Sequence, residues 1–249
     1  MIDIIRDNWL LFLIGQYPNG PLGGLAATML IAFTGLLFAL PCAMILALGR
    51  ISPYKSARFA ASAVIHTLRG SPFVMVIFWS YFALPLIVGG PISGFWTLVG
   101  ALVLYEAAYL AEVIRAGILA LPAGQTEAAR SLGLGYWRTM IYVILPQAIY
   151  NSLPSLLSQF VSLIKETSLG YVISVNEFTF AAAQVNSALL TKPVQVFSIL
   201  AVTYFVLCFS LTETARSLER RIARRRKGSG SAQAAATSLS NPLTTEPAP

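Results

Sequence analysis

The stretch EAARSLGLGYWRTMIYVILP occupies residues 127–146, and long apolar runs flank it on both sides. Thr126 can cap a helix that begins at Glu127, whose acid suits the positive end of the helix dipole. Ala128 and Ala129 are small, so another surface can approach that helix closely. Gly133 and Gly135 end it and permit a sharp turn. A second amphipathic stretch then runs to Pro146, where the next apolar run begins. The pattern predicts a short helix pair that protrudes from its surroundings, a shape suited to a groove on a partner protein.

The flanking runs are long enough to cross a bilayer, which takes about 20 apolar residues as a helix. Gly23 to Leu48 carries no charge and is the first span. Gly70 to Tyr105 is also uncharged but too long for one helix. Pro85, Gly89, Gly90 and Pro91 divide it into a second span near 72–88, for which an earlier start is open, and a third near 94–114. A fourth runs from about Ile149 to Ile173 and a fifth from Pro193 to Thr212. The fold class is therefore an all-α membrane protein with about five transmembrane helices.

Composition agrees. Of 249 residues, 56% are hydrophobic and 11% charged, too little charge to cover a soluble surface. The net charge of +7 lies beside the apolar runs, which speaks for orientation in a bilayer and against nucleic acid. Arg50, Lys55 and Arg58 follow span one; Arg115, Arg130 and Arg138 lie between spans three and four; a basic cluster from Arg216 to Lys227 follows span five. The other side offers only Arg6 and Lys192. The positive-inside rule places the N-terminus outside and the C-terminus in the cytoplasm, as an odd number of spans requires.

Residues 1–21, with Ile4, Ile5, Trp9, Leu10 and Leu13, suit an interfacial amphipathic helix on the periplasmic side; a frayed terminus is the other reading. No cleavable signal peptide is read there, since Asp3 and Asp7 replace the usual basic cluster. The core domain is 22–215, and 216–249 is a basic, then disordered, cytoplasmic tail, polar and small-residue-rich after Lys227. Cys42, Cys208 and the single His66 have no metal-ligand spacing, so no metal site and no cofactor are expected. No G-x-x-x-x-G-K-[ST] is present, so any nucleotide chemistry belongs to a partner. Ser162-Leu163-Ile164-Lys165 matches an S-x-x-K pattern but lacks its companions and lies in an apolar span. An enzyme is not indicated.

The segment Glu127–Pro146 resembles the EAA loop of ABC-importer permeases: EAA, three residues, Gly133, nine residues, an Ile position held here by Val143, one residue, then Leu145-Pro146. Arg69-Gly70-Ser71-Pro72 is similar to the RGTP or RSIP element of polar amino-acid permeases. Glu106-Ala107-Ala108-Tyr109 and Glu112 to Ile118 resemble that subfamily's third span. Lys165-Glu166-Thr167-Ser168-Leu169 resembles its K/Q-D-T-S-L element, with Glu for Asp. The resemblance covers about 22–215 and is greatest to a glutamate/aspartate import permease.

That resemblance implies a type-1, MetI-like permease fold in the bacterial inner membrane. It implies two ABC ATPase subunits, a second, non-identical permease subunit, a periplasmic amino-acid-binding protein and surrounding membrane lipid as partners. Glu127, Ala128, Ala129, Gly133 and Pro146 would couple to the ATPase. Glutamine, histidine and arginine stand as alternative cargoes.

Ionisable residues at membrane depth are functional candidates by default. Glu106 lies about twelve residues into span three, roughly 18 Å at a 1.5 Å rise. In a substrate path Lys165 would meet carboxylates, and Glu106 or Glu166 the ammonium, with Thr167 and Ser168 beside them. The competing reading is that Glu106 and Lys165 neutralise each other across a helix interface. Arg69, Glu112 and Arg115 mark a gate or the inner boundary; Glu112 and Arg115 stand at pairing distance on one helix. A self-sufficient channel or secondary transporter using Glu106, Lys165 and Glu166 as a relay is the remaining alternative, against which the lack of an internal repeat counts.

Overall fold

The structure, a computed structural model, describes the backbone of residues 1–240 and the side chains of 1–222. Among the described residues it is all-helical, with one isolated bridge between Gly15 and Leu22. Helix α1 is Ile2–Ile14 and α2 is Gly24–Ile51. A bent pair follows, α3 Lys55–Gly70 and α4 Phe73–Val88, which meet at 106°. The long α5 is Gly94–Leu119. Next come α6 Ala123–Ser131 and α7 Tyr136–Thr139, then a π-turn Met140–Ile144 that runs into α8 Leu145–Glu166. A 3-10 segment Thr167–Ile173, α9 Phe178–Leu189 and α10 Pro193–Ser240 complete the chain.

Among the described residues four stretches are long and apolar enough to cross a membrane, α2, α5, Tyr136–Ile173 and Pro193–Ile222, and the bent α3–α4 pair makes a fifth if it is counted as one span. The first span has 28 residues, about 42 Å at 1.5 Å per residue. It buries Ala27, Ile31, Gly35, Ala39, Ala43 and Ala47, one residue every turn, while Phe33, Phe38 and Ile45 stay exposed. Lipid tails are as apolar as leucine, so helices associate in a membrane through close packing rather than through expulsion of water. A seam of small residues is what permits that approach. Against this seam α5 sets Ala107, Ala108 and Ala111, with Leu110 and Ile114. The helix starts at Ser93, whose hydroxyl accepts from the Trp96 N–H at 3.4 Å.

Three parts depart from expectation. The second span is bent: α3 is a helix of its own, amphipathic, burying Ala61 and Ile65. Pro72 then caps α4 and fixes the turn. The 12-residue α9 is too short to span and packs Phe178, Ala182 and Val185 against Ile4, Phe12, Val196 and Ile199. The N-terminal segment is thus a packed helix, not a frayed end. At the other terminus α10 continues to Ser240, so the backbone of 228–240 is helical where disorder is expected. Its Ala234–Ala236 run has high helix propensity. Residues 241–249 of the expected tail lie outside those described.

Two buried polar side chains, Thr28 and Glu177, tie the start of α9 to its neighbours. Thr28 accepts from the Phe178 N–H at 3.0 Å and donates to the Gly24 carbonyl at 3.3 Å. Glu177 is wholly buried and caps α9, accepting from the Thr179 and Phe180 N–H groups at 2.8 and 2.9 Å and from the Tyr204 hydroxyl at 3.3 Å.

Candidate functional site

Two regions carry the sequence-predicted residues: an elbow between α5 and α8, and a polar groove between the same two helices. In the elbow, α6 starts at Ala123 with Pro122 at its N-cap. Thr126 is therefore inside the helix and does not cap it. Glu127 is its fifth residue, past the first turn, where the dipole argument no longer applies. The reason is Pro122: its φ of −59° separates α6 from α5 and suits a helix start.

The face that α6 presents is nonetheless divided as a docking helix requires. Ala129 is 5% exposed, whereas Glu127 and Ala128 are open and Leu132 is 83% exposed. Gly133 has φ +81°, a conformation that costs a residue with a Cβ roughly 1–2 kcal/mol. Its N–H bonds the Arg130 carbonyl at 3.0 Å and that of Leu134 bonds Ala129 at 3.2 Å. Gly135 is extended, φ −67° and ψ 163°, and needs no glycine. Pro146 lies at the start of α8, and helix continues through it from Tyr136. A proline offers no N–H to the preceding turn, and the adjacent π-turn over Met140–Ile144 is a local widening that accommodates it. Met140, Ile144 and Leu145 are buried against Ala43, Ala47 and Ile114. The elbow is thus rooted in the α2–α5 seam.

The groove is about 520 Å3 and is lined by Arg69, Tyr109, Glu112, Asn151, Ser155 and Gln159 among others. Asn151, Ser155 and Gln159 are four residues apart and form a polar stripe on α8. Arg69 lies over the Tyr109 ring, 5.1 Å from its centroid. Toward the C-terminal end of α5, Arg115 holds Glu112 at 2.8 Å, and Arg50 reaches the other oxygen at 3.4 Å.

Gln159 leads inward from the groove. Its amide donates to Glu106 Oε1 at 3.3 Å. Glu106 is fully buried and its Oε2 has no hydrogen-bond partner; the same is true of Glu166 Oε2. The two carboxyl groups lie against each other. Lys165 does not neutralise Glu106: its side chain is exposed, and among the described residues no ion pair includes either. Consecutive helix positions differ by about 100°, so Glu166 turns inward and Lys165 outward. Thr167 is buried and bonds the Ile164 carbonyl at 2.7 Å; Ser168 bonds that of Lys165 at 2.6 Å. Both hydroxyls are engaged locally. Gln159 and the α8 stripe are the functional candidates missing from the sequence reading; polar residues at i, i+4 and i+8 in an otherwise apolar span were the available signal. Among the described residues no cluster of His, Cys, Asp and Glu is arranged to hold a metal ion.

A membrane-embedded helical bundle with a protruding elbow and a polar groove defines a transport component. The chain belongs to the family described as binding-protein-dependent transport system inner membrane component, which matches residues 39–224. It is 37% identical over 221 residues to the inner membrane amino-acid ABC transporter permease protein YhdY of Escherichia coli (strain K12), covering 86% of this chain and 60% of that one. The chain thus spans less than two thirds of that relative's length. It is 34% identical to the probable glutamine ABC transporter permease protein GlnP of Bacillus subtilis (strain 168), covering 84% and 98% of the two chains. It is also 34% identical to the glutamate/aspartate import permease protein GltK of Escherichia coli O157:H7, covering 81% and 93%. A crystal structure of an amino acid ABC transporter with histidines superposes with a TM-score of 0.72 at 34% identity, covering 80% of this chain and 92% of that one. As the membrane component of such a system, the chain is not itself the ATPase.

Proposed function

We propose that this chain is the permease subunit of an ATP-driven importer for a polar amino acid, with glutamate or aspartate as cargo. The observation that carries the transport reading is the continuous polar surface from Arg69 to Glu106 inside an otherwise apolar bundle. Polar groups at membrane depth are costly and persist where a solute passes. In this reading two ATPase subunits dock on α6 through Glu127, Ala128 and Ala129, with Gly133 and Pro146 setting its angle. A second, non-identical permease completes the path, and a periplasmic binding protein delivers cargo. The N-terminus is periplasmic and the C-terminus cytoplasmic. Arg69, Glu112 and Arg115 form the inner boundary, and Glu106, Glu166, Lys165, Thr167 and Ser168 border the path.

The acidic cargo rests on the Glu106–Tyr109 and Glu112–Ile118 elements and on the likeness to GltK. One observation favours a second reading. A buried Glu106 and a half-buried Glu166, neither in an ion pair among the described residues, are better matched to an amino acid with a cationic side chain, which brings two positive groups, than to one with two carboxylates. Uptake by the reconstituted complex with a panel of labelled amino acids decides between them. Uptake of glutamate and aspartate alone supports the first, and uptake of arginine or histidine the second. Uptake that persists when the ATPase is left out overturns both in favour of a self-sufficient channel or secondary transporter.

A further inference from the structure

The elbow makes a polar contact with the end of α2, far away in sequence. The Tyr136 hydroxyl, at the start of α7, donates to the Ile51 carbonyl at 3.0 Å, 85 residues away. Ile51 is the last residue of α2, where carbonyls have no partner within the helix. The next residue back, Arg50, donates through Nε to Glu112 on α5 at 3.4 Å and through Nη1 to the Ser62 hydroxyl on α3. Glu112 is held in turn by Arg115 at 2.8 Å. Glu112 also lines the inner end of the polar groove. A single chain of bonds thus runs from the ATPase-facing elbow, through the end of α2, to the groove.

We infer that Tyr136 and Arg50 form a mechanical linkage that carries the elbow's displacement to the Glu112 end of the groove, with Tyr136 as a positioning residue. This inference rests on the reading of α6 as the ATPase-docking helix. The elbow's apolar root at Met140, Ile144 and Leu145 holds it against the α2–α5 seam, but apolar contacts can slide. The Tyr136 bond is directional, and it ties α7 to the backbone of α2 rather than to a rotatable side chain. When α6 is pushed, the end of α2 follows and takes the Arg50 guanidinium with it. Because Arg50 bridges α3 and α5 at once, its displacement alters both walls at the groove's inner end.

The test uses the full chain, reconstituted in liposomes with its ATPase, second permease and binding protein. The readout is uptake from a radiolabelled amino-acid mixture per ATP hydrolysed. Tyr136→Phe removes only the hydroxyl and keeps the ring that packs against the core. The complex should assemble and hydrolyse ATP within about twofold of wild type, while uptake per ATP falls about tenfold. Arg50→Met should do the same. The double variant should be no worse than the poorer single, because residues in one linkage are not additive. An unchanged ratio in Tyr136→Phe, or losses that multiply in the double variant, overturns the linkage. Failure of the docking reading itself registers separately: Glu127→Arg would then leave ATPase co-purification intact whatever Tyr136→Phe does.

Discussion

The Gln159 side chain donates to Glu106 Oε1 at 3.3 Å, joining the half-buried groove face of α8 to the buried middle of α5. The second Glu106 oxygen has no hydrogen-bond partner, and the Glu166 carboxyl lies against the same group. A carboxyl group left without a partner is costly in this setting, and under the proposed transport role an incoming ammonium would relieve that cost. Replacing Glu106 by Gln keeps size and shape and puts an N–H donor beside the Glu166 carboxyl. The variant should therefore be as stable as wild type or more so, while uptake falls about tenfold or more, the equivalent of losing roughly 1.4 kcal/mol of cation stabilisation. Thermal unfolding in detergent and proteoliposome uptake measure the two separately. Unimpaired uptake would reduce the pair to a structural element.

Glu127 projects from α6 beside the open Ala128, opposite the buried Ala129. Reversing its charge should weaken ATPase docking without disturbing the bundle, because nothing on the buried side changes. Glu127→Arg is expected to insert normally, to lose at least tenfold in ATPase co-purification, and to abolish uptake. Ala129→Leu should act differently: it overfills the seat of α6, at a cost of about 1–3 kcal/mol, and should tilt the helix. Normal uptake by Glu127→Arg at normal membrane levels would count against the docking role.

The spans were legible because uncharged runs of 20 or more residues have few alternatives, and the elbow was legible because its small residues and Gly133 each have a mechanical reason to be there. The bend between α3 and α4 was not. Lys55, Arg58, His66 and Arg69 lower the hydropathy of 55–70 below any spanning threshold, and only the periodic burial of Ala61 and Ile65 reveals the helix. The orientation of Lys165 and Glu166 was equally out of reach. They are neighbours about 100° apart on one helix, and which of them faces inward depends on Glu106 and Gln159, 59 and 6 positions away from Lys165. Helix α9 was missed because twelve residues cannot span, and its cap is a glutamate rather than the usual Ser, Thr, Asp or Asn.

That cap makes stability depend on pH. Burial pushes the Glu177 carboxyl up from 4.5 to about 7, against the pull of the Thr179 and Phe180 N–H groups. Between those values the folded state holds a proton that the unfolded chain releases, so stability is greatest at the acid end and declines as pH rises toward 7. The full excursion is of the order of 3 kcal/mol. Unfolding midpoints in detergent from pH 5 to 8 should fall with rising pH, and Glu177→Gln should flatten the slope. An unchanged slope in that variant would assign the dependence elsewhere.

Gly117 sits where α5 crosses α8, and its role is steric. A Cβ built there would overlap the Ser152 hydroxyl and lie 3.0 Å from the Ala148 carbonyl oxygen. The first obstacle is a small side chain; the second is backbone and cannot rotate away. Gly117→Val should therefore force α5 and α8 apart along the groove that both helices line, with a loss of about 1–3 kcal/mol from overpacking. Ser152 donates weakly to the Val113 carbonyl, at 3.5 Å, so trimming it costs little. Combining Gly117→Val with Ser152→Gly should recover part of the loss but not all, because the Ala148 carbonyl remains. Melting temperature in detergent reports the packing. Crosslinking of paired cysteines at Val113 and Asn151, with Cys42 and Cys208 replaced by serine, reports the separation. Wild-type stability in Gly117→Val would mean that α5 and α8 cross less closely than 3.0 Å implies, and full recovery in the double variant would leave the Ser152 hydroxyl as the whole obstacle.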